Sequence, residues 1–291
     1  MRFVDNDEFL KPEVRDGWEI TAEMKKVWAV QLDLLQAFID VCSSNCLKYW
    51  VIGGTLLGVV RHKGYIPWDD DLDVCMPRED YEELLRHPEY FSLPIQFHVA
   101  DNKENYYEGW VRLHNVNTSC YYPSKPKDIY KQGIYIDIFP LDGVKKEAQV
   151  RNDMSSIRRL NAIGHACTYN VNPNKALRLL STTNKIIHLI KPEKLWKRVN
   201  TIAKSENHLS CDYWGIKVVP VYTYKKMVFR KSDFEKTKTF QFEGLSVCAP
   251  AGYDRILKNW YGDYMQFPPQ EERGIWHIYK FDADKSYQDL K

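Results

Sequence analysis

The order of elements readable in the sequence predicts an α+β fold, a mixed sheet with flanking helices followed by a helical region and a return to strands. Three observations carry this. A helical stripe over Thr21–Cys46 feeds the short apolar run Tyr49-Trp50-Val51-Ile52 and a Gly53-Gly54-Thr55 corner. An acidic stretch, Asp69 to Asp73, runs into apolar residues that alternate as in a half-buried strand. Beyond Asp142-Gly143 the apolar spacing changes from strand-like to helical.

Residues 1–17 are polar and mixed in charge, and Pro12 interrupts any helix, so an extended arm laid on a single domain spanning 18–291 is expected. That domain divides into a core at about 18–143, a helical region at about 144–205 and a C-terminal part at about 206–291. In the first helix Met24, Val27, Trp28, Leu34, Leu35, Phe38, Ile39 and Cys42 share one stripe, broken only at polar Gln31. The strand at Tyr49–Ile52 leads to a helix from Thr55 to about Arg61, then to a loop, His62–Trp68. A strand at Asp71–Met76 is stopped by Pro77, which suits the first turn of a helix at Arg78–Arg86. Ile95–Val99, Trp110–Asn115 and Gly133–Phe139 alternate β-branched or aromatic residues and read as strands. Lys145–Asn170, Asn174–Ile190 and Pro192–Ser205 read as helices, Trp214–Pro220 and Thr239–Val247 as strands, and Tyr253–Tyr261 as a last helix.

A chain of 291 residues that is 44% hydrophobic and 14% aromatic has ample material for a packed core. A formal charge of +2 with no long run of either sign argues against nucleic-acid binding by bulk electrostatics. The N-terminus has no signal-like apolar core, and no window approaches the roughly 20 apolar residues of a membrane span. A cytoplasmic location is the default expectation. The helices after Lys145 carry basic residues on their polar faces, usually a solvated surface, and suggest a peripheral contact with the inner face of a membrane. Seven scattered cysteines suit reduced thiols better than a disulfide framework, and the Cys42/Cys46 pair suits packing better than zinc.

The chemistry concentrates at the acidic stretch. On a strand, Asp71 and Asp73 point the same way and repel each other unless a cation lies between them, which suggests a hard metal such as Mg²⁺. A solvated acidic turn is the bland alternative, and it does not call for Trp68, the apolar alternation or the upstream glycines. Asp137 lies inside the otherwise apolar strand Gly133–Phe139 and needs a partner: a metal shared with Asp71 and Asp73 is the stronger reading, an arginine pair or a cap on a neighbouring helix the weaker. Arg112 and His114 alternate on the preceding strand, where positive groups suit a phosphate ligand.

With these residues in view the chain resembles the LicD family, the group of bacterial phosphocholine transferases to which fukutin and the fukutin-related protein are more distantly similar. GGTLLGVVRHKGYIPWDDDLDV, REDYEELL, the strand IYIDIFPLDGV and the tail YDRILKNWYGDYMQFPP carry the resemblance, which spans roughly residue 20 to residue 277. It implies a nucleotidyltransferase-like mixed sheet with flanking helices, and a divalent metal, Mg²⁺ or Mn²⁺, held by Asp71, Asp73 and Asp137 beside the Gly53-Gly54-Thr55 corner. The stretch between corner and acid pair is longer than is usual in nucleotide-adding enzymes. That favours transfer of phosphocholine or a related alcohol phosphate from a CDP-linked donor to a hydroxyl of a cell-surface glycan, teichoic-acid or lipopolysaccharide precursor, with release of CMP. Alternatives are transfer of NMP from an NTP, and a non-catalytic carbohydrate-binding or scaffold protein. The Gly54-Thr55 amides suit a phosphate, with Arg61 and Lys63 as second contacts; Asp137, a lone carboxylate in an apolar strand, is favoured as the base, with a ligand role alone equally compatible. In the tail, Arg273 or His277 is expected to close over the site, although Trp276-His277 stands where the family has paired histidines.

Overall fold

The computed structural model describes residues 2–100, 106–121, 132–169, 191–219, 223–274 and 280–289. The N-terminal segment is docked on the domain. Arg2, Phe3 and Val4 donate their amides to the Asp33 carboxylate, and β1 (Glu13–Arg15) pairs with β2 (Trp18–Ile20) in a hairpin that runs across residue 17. Helix α1 (Ala22–Ser44) starts where Thr21 accepts the Met24 amide, as the N-cap preference of threonine requires. It packs on β6 (Val111–Asn115) and β8 (Tyr135–Val144).

A seven-stranded mixed sheet forms the centre, and β8, buried along its whole length, is its axis. On one side β8 runs parallel to β4 (Asp73–Pro77), which pairs antiparallel with β3 (Trp50–Val51). On the other side its first half pairs with β6, which carries β5 (Ile95–His98) beyond it. Its second half pairs instead with β9 (Tyr213–Gly215), which is followed outward by β10 (Val228–Arg230). Helix α2 (Gly53–Arg61) links β3 towards β4, and α3 (Arg78–Arg86) follows β4 directly, with Pro77 as its N-cap. Short β7 (Ser119–Tyr121) is followed, after β8, by α4 (Glu147–Tyr169) and α5 (Pro192–Ala203), which pack together. The hairpin β11 (Thr237–Phe242) and β12 (Leu245–Pro250) precedes α6 (Tyr253–Tyr261), and β13 (Lys280–Asp282) returns to pair with β7. This is the α+β architecture the element order predicts.

Several boundaries differ from expectation, each for a local reason. The acidic strand begins at Asp73 rather than Asp71, because the carbonyls of Asp69 and Asp70 are taken by the Trp28 and Gln31 side chains of α1 (3.0 and 2.9 Å) instead of a neighbouring strand. The single strand expected over Thr239–Val247 is a hairpin: Glu243 and Gly244 both have positive φ (48° and 81°), the two-residue turn that matches strand twist. Pro140 and Gly143 do not end β8, which runs on to Val144. Of the strand expected at Trp214–Pro220, only the part up to Gly215 pairs in a ladder. The helix expected at Asn174–Ile190 lies outside the described residues. Cys42 is buried on α1, whereas Cys46 is exposed in the turn beyond it.

Candidate active site

The site forms where α2 begins against the acidic turn. Gly53 has φ +64°, a conformation L side chains rarely adopt, and a Cβ there would stand 2.7 Å from Asp73 Oδ2. A Cβ on Gly54 would stand 2.5 Å from Asp69 Oδ2 and 4.0 Å from Asp71 Oδ1. The two glycines are thus what allow three carboxylates to crowd the first turn of α2. Thr55 fixes the arrangement from inside, its Oγ1 accepting the Asp73 amide at 2.8 Å. Ile52, the N-cap, supplies no side-chain cap, and a helix N-terminus of this kind favours an anion.

Asp137 reaches the same place from the neighbouring strand. It is the direct partner of Asp73 in the parallel β4/β8 ladder and of Arg112 in the antiparallel β8/β6 ladder, so the three share one face of the sheet. Its Oδ1 accepts from Trp110 Nε1 (2.7 Å) and Arg112 Nε (2.8 Å). The arginine pairing left open by the sequence is therefore present. Arg112 is itself buried, donates to Gln132 Oε1 (2.9 Å) and lies 3.8 Å from the centre of the Tyr135 ring. His114 is fully buried; its ring meets Gln96 (3.3 Å) and stacks on His98, and Gly133 donates its amide to Nδ1.

Gln31, the polar interruption in the α1 stripe, accounts for itself here. Fully buried, it donates to the carbonyls of Asp70 and Tyr135 and accepts from the Tyr65 hydroxyl at 3.0 Å, tying α1, the acidic turn and β8 together. Asp70 is buried with its carbonyl held by Gln31, whereas Asp69 lies against the glycine corner with Asp71. The sequence places Trp110 only near the motifs; its alternation with Arg112 is the signal that sets both side chains on one face.

A second cluster gathers at the far end of α2, roughly 12 Å along the helix from Gly53. Arg61 donates to the carbonyls of Tyr264 (2.8 Å) and Gln266 (3.1 Å), fastening the chain that follows α6. Its guanidinium lies over Phe267, which also stacks on His62 (15° between rings). Arg273 lies over Trp68 and Phe267 and donates to the Pro268 carbonyl. Burial and the adjacent Arg61 hold the His62 imidazole below its ordinary value, while Asp16 accepts at Nδ1 (2.9 Å) and opposes the shift. Lys63 is exposed at φ +58°. Arg61 and Arg273 thus serve a tail-docking cluster, Lys63 a loop surface; His277 lies outside the described residues.

Asp71, Asp73 and Asp137 are hard oxygen donors of the kind that suit Mg²⁺ or Mn²⁺, and register together with the glycine corner brings two of them to one helix start and the third opposite. The fit is one of donor chemistry and placement. Among the described residues no three His, Cys, Asp or Glu side chains are already gathered on one point as a metal cluster.

A glycine corner, two carboxylates at and just before the start of β4 and a third on the adjacent strand lie together on an α+β sheet. Residues 46–159, which contain that site, match the family model described as LicD/FKTN/FKRP, nucleotidyltransferase domain. The lipopolysaccharide cholinephosphotransferase LicD of Haemophilus influenzae is 28% identical over 256 residues, covering 86% of this chain and 94% of that protein. An uncharacterized Rickettsia prowazekii protein, RP689, is 31% identical over 113 residues, 36% of this chain and 42% of its own length. The human ribitol 5-phosphate transferase FKRP is 43% identical over 42 residues, 14% of this chain and 8% of its own. The chain thus carries a region that matches the LicD family model and is similar over most of its length to a LicD protein.

Proposed function

We propose that the protein is a LicD-type phosphotransferase that moves a substituted phosphate, phosphocholine or a related alcohol phosphate, from a CDP-linked donor to a hydroxyl of a glycan in a cell-surface polymer precursor. The observation that carries this reading is the packing of Asp69, Asp71 and Asp73 on Gly53 and Gly54 with Asp137 in register opposite. Nearly full-length similarity to a protein named for cholinephosphate transfer supports the choice of group. Similarity over a short segment to a ribitol 5-phosphate transferase supports the wider class of alcohol phosphates.

In the proposed reaction an acceptor oxygen attacks the donor's distal phosphorus in line, the P–O bond to CMP breaks, and the hydroxyl proton passes to a carboxylate of the cluster. The amides at the start of α2 hold a phosphate oxygen. Arg112 anchors Asp137 and places positive charge on the face where the phosphates lie. Asp71, Asp73 and Asp137 would hold Mg²⁺ or Mn²⁺, which when bound offsets charge on the phosphate oxygens and the leaving group. In this reaction Asp137 acts as a ligand rather than the favoured base, since two N–H donors converge on one of its oxygens.

The test is incubation with Mg²⁺, a lipopolysaccharide preparation as acceptor, and either CDP-choline, CDP-ribitol, CDP-glycerol or CTP. CMP formed from one of the CDP-alcohols, with the alcohol phosphate recovered on the glycan, is the expected result. Pyrophosphate formed from CTP, with no CMP from any CDP-alcohol, would overturn the reading in favour of nucleotidyl transfer.

A further inference from the structure

Away from the carboxylates, one part of the surface combines exposed apolar side chains with clustered cations. Helix α6 ends at Tyr261, and over the next few residues Tyr261, Met265 and Phe267 remain 43%, 55% and 41% exposed. Scattered single apolar residues are ordinary on a surface, but three large ones in one short loop mark a contact site. The end of α6 is fastened to the turn Tyr224–Lys226. Lys226 Nζ donates to the Trp260 carbonyl (3.0 Å), Asn259 Nδ2 to the Lys225 carbonyl (3.0 Å), and the Trp260 indole N–H to the Lys226 carbonyl.

That same turn forms one wall of an open cleft of about 390 Å³, and α4 forms the other with Arg151, Met154 and Arg158. Arg151 donates to the Tyr224 hydroxyl, which donates in turn to Glu147. Lys258 on α6 adds a further exposed cation. Of the carboxylates close in the chain, Glu147 pairs with Arg151, Asp254 pairs with Lys258 and Asp263 accepts from Gln266, while Glu271 and Glu272 are exposed beyond Phe267. The cleft itself gathers Arg151, Arg158 and Lys225 with no carboxylate among its lining residues, so it keeps a positive balance beside the apolar loop.

We infer that this surface docks on an anionic lipid bilayer, with Tyr261, Met265 and Phe267 at the boundary between headgroups and acyl chains and the Arg151–Arg158–Lys225 cleft taking lipid phosphates. Charge complementarity selects the occupant. A soluble anion would satisfy the cleft and leave the apolar loop in water, and a neutral apolar partner would cover the loop without answering the positive balance of the cleft. Aromatic, methionine and basic side chains together are what an interfacial contact uses. The inference rests on this patch alone and does not depend on which group the carboxylate site transfers.

Sedimentation of the full chain with vesicles tests it. Phosphatidylcholine vesicles containing phosphatidylglycerol are expected to pellet the protein and phosphatidylcholine alone is not, with binding weakening as salt rises. Lys225→Glu is expected to lower the partition coefficient by roughly fivefold or more, and Met265→Asp to lower it at low salt as well, with unchanged circular dichroism and melting temperature showing that both variants fold. Absence of pelleting with either vesicle, or undiminished pelleting of both folded variants, would overturn the proposal. So would saturable binding of inorganic pyrophosphate lost in Lys225→Glu but unaccompanied by vesicle binding, which would make the cleft a site for a soluble anion.

Discussion

Gly53 does two things at once: it adopts a left-handed backbone and leaves room for the Asp73 carboxylate, and these can be separated experimentally. Gly17, in the β1–β2 turn, has a similar φ of +74° but nothing within 4 Å of where a Cβ would stand. Alanine at either position costs about 1–2 kcal/mol for the backbone alone. Gly17→Ala is therefore expected to lower the melting temperature and leave turnover unchanged. Gly53→Ala also drives the Cβ against Asp73 and should cut CMP release by roughly a hundredfold, the order lost when reacting groups move by an ångström. Equal turnover in the two variants would remove the steric role assigned to Gly53. Asp137 makes the complementary case: the chain buries its carboxylate on β8 because Trp110 and Arg112 on the adjacent chain segment meet it with two charge-assisted donors.

Among the elements, α1 positions the acidic turn through a single polar side chain. Gln31→Leu would complete the apolar stripe, yet it strips partners from two buried carbonyls and the Tyr65 hydroxyl, and should destabilise by about 1–3 kcal/mol while lowering turnover. Denaturant melts read with CMP release check this, and a more stable, fully active Gln31→Leu protein would contradict it. The tail cluster has a pH dependence. Because burial and Arg61 depress the His62 value, folding favours the neutral ring; its contribution is complete above the ordinary histidine value of 6.5 and is lost as pH falls below that. Melting temperature should fall more steeply from about pH 7 to 5 in the native protein than in His62→Phe, which keeps the stack on Phe267 without the titration. Such elements show what the sequence discloses and where it stops. Helices α1, α3 and α6 were legible to within a residue or two because their stripes and caps are local. The β11/β12 hairpin was not, since Glu243-Gly244 lies inside a run of strand formers and only the backbone reveals its turn. Asp71 was assigned to the strand by alternation, but α1 side chains take the carbonyls that would have extended the ladder, and that competition is invisible without the fold.

For the whole molecule, the sheet is held to the helical region by one buried network. Arg78 at the start of α3 makes a bidentate pair with Asp142 of β8 (2.8 and 2.6 Å) and donates to Asn200 of α5 (2.7 Å), while Asn207 donates to the same Asp142. Arg78→Met leaves Asp142 charged and buried, and is expected to cost about 3–5 kcal/mol in a denaturant melt. A cost below about 1 kcal/mol, the range of exposed pairs, would show that the network does not join the two regions. Composition indicated a large core and the motif order indicated the site, but this network joins residues far apart in the chain whose pairing no spacing announces. No helix among the described residues is long and apolar enough to cross a membrane. The central claim is that the carboxylates packed on the α2 glycines perform the transfer. Its most direct test is CMP release from the CDP-alcohol that serves as donor, measured across a Mg²⁺ titration for the native protein, Asp71→Asn and Asp73→Asn, each shown to be folded by its melt. Metal-dependent turnover in the native protein, falling by a thousandfold or so in both variants, is the predicted result; folded variants that keep native turnover would contradict it.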